Sequence, residues 1–90
     1  MAVTRTLNVV RITADNDTVA GPLNICSINY VAGTPTPSAS IRLTNGSGQQ
    51  LWGANAAASD VYVAEIRVPQ GDTIHIDLAG TGTEVILYLE

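Results

Sequence analysis

β-Branched side chains limit the folds open to this chain more than any other feature. Nine Val, eight Ile and ten Thr make up 27 of its 90 residues. Such side chains lose rotamer freedom in a helix and pack well on a pleated surface. Glu, a common helix former, occurs three times, and Lys and Phe do not occur. Charged residues are 13% of the chain, against roughly a quarter in an ordinary soluble domain. A coiled coil, a disordered tail and a basic nucleic-acid module are excluded on these grounds, which leaves a small all-β domain.

The apolar runs confirm the class and set its rhythm. Residues 7–13 form a first run that ends in Asp15-Asn16-Asp17, whose side chains can hydrogen-bond their own backbone and start a turn. In residues 23–31 the apolar parity changes beside Cys26-Ser27, from Leu23 and Ile25 to Ile28 and Tyr30. That change predicts either a β-bulge or a strand buried on both faces. Residues 33–38 carry Pro35 and Pro37 and read as an extended connection, because proline has no N–H to give a ladder.

Residues 39–44 then alternate, with Ile41 and Leu43 inward, and Asn45-Gly46-Ser47-Gly48 signals a hairpin. Residues 49–52 are its return. The Ala-rich residues 53–59 are the one stretch that could hold a helical turn. Residues 61–68, 73–78 and 84–90 alternate cleanly, separated by Pro69-Gln70-Gly71-Asp72 and by residues 79–83. About seven short strands with turn signals at this spacing predict an antiparallel β-sandwich, jelly-roll or Ig-like, formed by residues 1–90 as a single domain. Residues 1–6 are expected to act as an N-terminal arm.

A chain this short buries only about 60 to 65% of the surface its unfolded form exposes. Its one cysteine, Cys26, cannot staple it internally. The first residues lack a signal-peptide stretch and no run nears the ~18 apolar residues of a membrane span, so a cytosolically made chain without a membrane partner is expected. A net charge of −4 with Arg5, Arg11, Arg42 and Arg67 as the only Lys or Arg cations gives too few cations to displace counterions from a phosphate backbone. Nucleic acid is not an expected partner.

The candidate chemistry is sparse. His75 and Asp77 stand at i and i+2 on one strand face, where an imidazole and its orienting acid could sit. Two polar residues on a solvated face explain the same spacing, and no nucleophile is tied to it. Asp15-Asn16-Asp17 has oxygen ligands but lacks the later Gly and bidentate Glu of a calcium loop, and reads as a turn. Cys26 lies in an apolar strand and reads as a small buried hydrophobe. The sequons at Asn16 and Asn45 read as unmodified turns. No catalytic, cofactor-binding or metal-binding residue is assigned, and no enzymatic activity is expected.

Trp52 is the single indole. It could stack on a sugar ring, anchor a protein interface, or cap the core. Leu51 and Trp52 are the residues expected at an interface. Edge strands are commonly guarded by Lys, Pro or bulges, and this chain has no Lys. Its neutral Thr, Ser, Asn, Gln and Ala surface suits contact between copies or with a host lattice.

Residues 28–33 (Ile28-Asn29-Tyr30-Val31-Ala32-Gly33), 41–46 (Ile41-Arg42-Leu43-Thr44-Asn45-Gly46), 68–72 (Val68-Pro69-Gln70-Gly71-Asp72) and 85–88 (Val85-Ile86-Leu87-Tyr88) carry a resemblance in rhythm and composition. The chain resembles the small β-sandwich virion proteins of tailed bacteriophages. The resemblance implies a capsid decoration or cement protein, made in the host cytoplasm and located in the virion. Such a protein binds the major capsid protein or other virion proteins and stabilises the head, often as a homo-oligomer, with a trimer favoured. It implies no cofactor and transfers no site residue. A tail or adaptor accessory protein, and a carbohydrate-binding module using Trp52 with Tyr30, Tyr62 or Tyr88, are the alternatives.

Overall fold

The computed structural model describes residues 3–44 and 48–90. Nine strands form among the described residues, and no helix: β1 (Val3–Thr6), β2 (Val9–Ile12), β3 (Asp17–Ala20), β4 (Leu23–Val31), β5 (Thr34–Leu43), β6 (Gln50–Ala54), β7 (Asp60–Val68), β8 (Thr73–Thr81) and β9 (Glu84–Leu89). They build two antiparallel sheets, in the orders β1-β2-β9-β4-β7 and β3-β8-β5-β6. From β2 onward the strands pair first with last and inward from there: β2 with β9, β3 with β8, β4 with β7, β5 with β6. This nested pattern is the eight-stranded jelly roll, with β1 added at one edge.

Alternation decides what each sheet buries. Val10 and Ile12 of β2, Ile25, Ile28 and Tyr30 of β4, and Val85 and Leu87 of β9 face Ile41 of β5 and Ile74 and Ile76 of β8, all nearly inaccessible to water. The parity change in β4 is a bulge. Its register with β9 shifts between Ile25 and Ser27, which leaves Cys26 as the extra residue there, while on the other side Ala64 and Glu65 of β7 both stand opposite Cys26. A single inserted residue thus keeps Ile25 and Ile28 on the same inner face.

The expected seven strands become nine because two short ones escape a pattern reading. Residues 3–6, expected as an arm, pair with β2 as β1. The two-residue turn between β1 and β2 places Leu7 at φ 51, outside the strand that residues 7–13 predicted. Asp17–Ala20 pairs with β8 rather than forming only a turn. Residues 34–38 join β5, but the register with β8 breaks between Thr34 and Ser38, where the prolines lie. Residues 55–59 form no helical turn. The hairpin residues 45–47 lie outside the described residues, while Leu43 N–H donates to Gln49 O at 2.9 Å across their flanks.

Two turns show why their residues are needed. Asp72 N–H donates to Pro69 O at 3.2 Å, and Gly71 between them has φ 94, a backbone conformation open to glycine. Gly33 packs so closely on the β8–β9 hairpin that a Cβ would overlap the Thr81 carbonyl oxygen. Its N–H donates to Thr83 Oγ1 (3.1 Å), and the Thr83 hydroxyl donates to Ala79 O (2.7 Å). Thr83 is buried, and its hydroxyl meets its own need for partners by accepting from one backbone group and donating to another.

Candidate functional site

The two sheets turn chemically different faces outward. On the outer face of β3-β8-β5-β6, strand register sets Ser40 opposite Asp77 and Arg42 opposite His75. Asp77 is the hub there. Arg42 Nε donates to its Oδ2 at 3.0 Å, His75 Nε2 lies 3.1 Å from its Oδ1, and the Ser40 hydroxyl lies 3.5 Å from Oδ2. His75 Nε2 also meets Asn16 Oδ1 at 3.1 Å, and Asn16 Nδ2 donates to Asp15 Oδ2 at 3.2 Å. The second contact fixes the amide orientation, so His75 Nε2 faces two acceptors and carries a proton.

This order of groups differs from that of a hydrolytic relay. A relay sets the imidazole between the hydroxyl and the acid. Here the carboxylate stands between Ser40 and His75, and its oxygens already accept from Arg42 and His75. The arrangement joins β5, β8 and the β2–β3 turn as a half-exposed polar clamp, with side-chain exposures of 46% for Arg42 and 37% for Asp77. Ion pairs at such exposure contribute about 1 kcal/mol or less.

Beside the clamp runs an open groove of about 560 Å³ bordered by Asp15, Ser38, Ser40, Gln50, Asn55 and Asp77. Asp15 Oδ1 there accepts Leu78 N–H at 2.7 Å. Asp15 and Asn16 lie in the turn with their side-chain oxygens against Leu78 N–H and His75, Asp17 begins β3, and no group of three His, Cys, Asp or Glu that could hold a metal ion exists among the described residues. Cys26 donates to Tyr88 O at 3.3 Å and is half-buried.

Leu51 and Trp52 are half-buried against the core. β5 and β6 slip register between Ile41 and Arg42, with Trp52 opposite Ile41 and Gln50 opposite Arg42, so Leu51 is the extra residue of a bulge. Trp52 packs edge-to-face on Tyr62 (centroids 5.4 Å, planes 72°) and on Tyr30 (6.4 Å, 62°). Tyr30 hydroxyl donates to Ala56 O at 2.7 Å. Burial, with a smaller contribution from Tyr62, holds the Tyr30 phenol above its ordinary pKa. Three of the four aromatic residues are therefore turned on one another, and Tyr88 is the one on an outer strand face.

The outer face of the five-stranded sheet was not singled out by sequence reasoning. Register aligns Val9, Tyr88, Ser27 and Val63 in one row across β2, β9, β4 and β7. A second row holds Arg11, Ile86, Asn29 and Val61. Val63 is 89% exposed and Val61 59%. The charged groups at the β2–β9 end neutralise each other: Arg11 Nε and Nη2 donate to Glu84 Oε1 and Oε2 at 2.9 and 3.0 Å. That hydrogen bonding, and then the charge of Glu84, raises the Arg11 pKa. The signal for this face lay in the off-parity residues Val61, Val63, Ile86 and Tyr88, which are apolar where a solvated strand would be polar.

These features define a jelly-roll domain with a polar outer face on the four-stranded sheet and, on the five-stranded sheet, an outer face where Val61, Val63, Ile86 and Tyr88 stand among few charges, Glu65 and Arg67 of β7 and the Arg11–Glu84 pair. Comparison with models of known families, with curated proteins and with solved structures finds no match. No helix among the described residues is long and apolar enough to cross a membrane.

Proposed function

We propose that this chain is a structural component of a tailed-bacteriophage virion. In this reading it is a decoration or cement protein that binds the major capsid lattice, stabilises the head and acts as a homo-oligomer, with a trimer favoured. The single observation that carries the reading is the apolar part of this face, where Val61 and Val63 of the edge strand β7 are open to solvent between the exposed charges of Asp60 and of Glu65 and Arg67. Exposed apolar side chains on an edge strand are a pairing hazard for a free monomer; in an assembly they become contact surface. Binding of the folded chain would stabilise the lattice by mass action.

Neither the Asp77 clamp nor the groove supplies a nucleophile and base in series, which favours a binding protein over an enzyme. The groove gives a second reading, carbohydrate binding, its hydroxyls, amides and carboxylates suiting a polyhydroxylated ligand. That reading rests on hydrogen bonding alone, since Trp52, Tyr30 and Tyr62 pack on one another. Electron microscopy of particles made with and without the protein tests the first reading. Density on the head that disappears with the gene supports it; unchanged head density, with the protein found on the tail, moves the assignment to a tail or adaptor accessory role. A glycan-array signal lost in Asn55→Ala would support the second.

A further inference from the structure

We propose that the outer face of the five-stranded sheet docks on a second copy of this chain. The proposal rests on the reading of the chain as an assembly component and names the surface through which its copies meet. Charge is the first argument. The chain carries −4 overall, so copies meet most readily where net charge is absent. The rows Val9-Tyr88-Ser27-Val63 and Arg11-Ile86-Asn29-Val61 provide that place: their one cation is paired to Glu84 through both forks, and Glu65 and Arg67, exposed farther along β7 on the same face, are of opposite sign. The opposite face, with Asp15, Asp77, Arg42 and His75, remains hydrated and charged.

Polarity is the second argument. Ser27 and Asn29 sit on β4, flanked by apolar residues of β9 and β7. A hydroxyl and an amide each donate and accept, so each is its own complement. Around a two-fold axis that passes through the face between them, Ser27 and Asn29 of one copy meet Asn29 and Ser27 of the other, and the hydroxyl and the amide can then pair. A partner of a single charge would find no counterpart here.

Area is the third. Five strands about 4.8 Å apart, averaging about six residues at ~3.3 Å each, give a face of about 500 Å² in projection. Side-chain relief raises the accessible area further, towards the roughly 600 to 1,000 Å² that a standard interface takes from each partner.

The test is sedimentation of the purified full chain at rising concentration up to roughly 100 μM, where contacts of micromolar affinity are populated. Val63→Asp and Thr36→Asp each add one negative charge at an exposed position, the first on this face and the second on β5 of the other sheet. The expected result is an oligomer whose dissociation constant rises at least about tenfold in Val63→Asp and is unchanged in Thr36→Asp; a tenfold change corresponds to about 1.4 kcal/mol. Circular dichroism confirms that each variant is folded, and Val61→Asp replaces Val63→Asp if that variant is not. A wild type that stays monomeric at the highest concentration overturns the proposal, as does equal weakening by both substitutions or by neither. A monomer that still decorates particles overturns self-docking and leaves the virion reading standing. An oligomer disrupted by Val63→Asp but absent from particles does the reverse.

Discussion

Trp52 and Tyr62 meet edge-to-face at 5.4 Å, and through them the free edges of β6 and β7 are joined by aromatic packing where hydrogen bonds between the sheets are out of reach. Trp52→Ala removes the shared ring from both Tyr62 and Tyr30. The expected loss is about 2 to 4 kcal/mol of stability, since the site is only half-buried and a large cavity would partly open to water. Trp52→Phe is expected to lose less than half of that. Urea unfolding followed by circular dichroism measures the difference, and a Trp52→Ala loss below about 0.5 kcal/mol would show that the aromatic contact does not hold this side closed.

Thr83 offers a cleaner deletion. Thr83→Val keeps the shape but leaves Gly33 N–H and Ala79 C=O without their buried partner. A loss of about 1 to 3 kcal/mol is expected, and Thr83→Ser should recover most of it. Equal stability of Thr83→Val and wild type would remove the hydroxyl from the list of groups that hold the β8–β9 hairpin to Gly33.

Alkaline stability should depend on Tyr30. Its folded pKa is raised, first by burial and then by Tyr62, so the folded chain holds the phenolic proton more tightly than the unfolded chain does. The contribution is fully present below the unfolded value of about 10 and is lost as pH rises through the higher folded value. Tyr30→Phe should flatten this alkaline fall while losing about 1 kcal/mol at neutral pH through the missing bond to Ala56 O. Unfolding midpoints of the two chains, compared from neutral to strongly alkaline pH, decide it; parallel curves count against Tyr30.

Asp17 is a polar residue at a core-facing position. It shares parity with buried Val19 on β3, pairs opposite Ile76, and its Oδ2 is buried without a hydrogen-bond partner. Asp17→Val is expected to raise stability by about 1 kcal/mol, because an unsatisfied buried oxygen gives way to an apolar group of high strand preference. A lower thermal midpoint in this variant would mean that the carboxylate holds the β2–β3 turn in another way.

Much of this fold was legible in residue order, and the exceptions share a physical cause. The slip in β4 could be read because Leu23, Ile25, Ile28 and Tyr30 are long apolar markers on either side of Cys26. β1 and β3 are four residues each, and Val19 is the one buried residue described in either. One marker cannot establish a period of two, and the partner of β3 lies far along the chain on β8. Leu7 reads as a strand residue by type, yet it occupies the turn at φ 51 because the hairpin places a turn there. His75 and Asp77 could be paired by spacing; Arg42 and Asn16 reach them only through β5–β8 register and the closing of a turn. Leu51 and Trp52 were singled out by type, whereas Val61, Val63, Ile86 and Tyr88 become one surface only when β7, β4 and β9 lie side by side.

The unlike outer faces of the two sheets give the domain a front and a back. If copies of the chain, or a lattice beneath them, cover the Tyr88 and Val63 side, every molecule is held in the same orientation, with Asp15, His75 and Asp77 pointing away. The outside of such an assembly would then take its charge and its wetting from one four-stranded sheet. Substitutions there would retune how assemblies repel, adsorb or precipitate without disturbing how they are built.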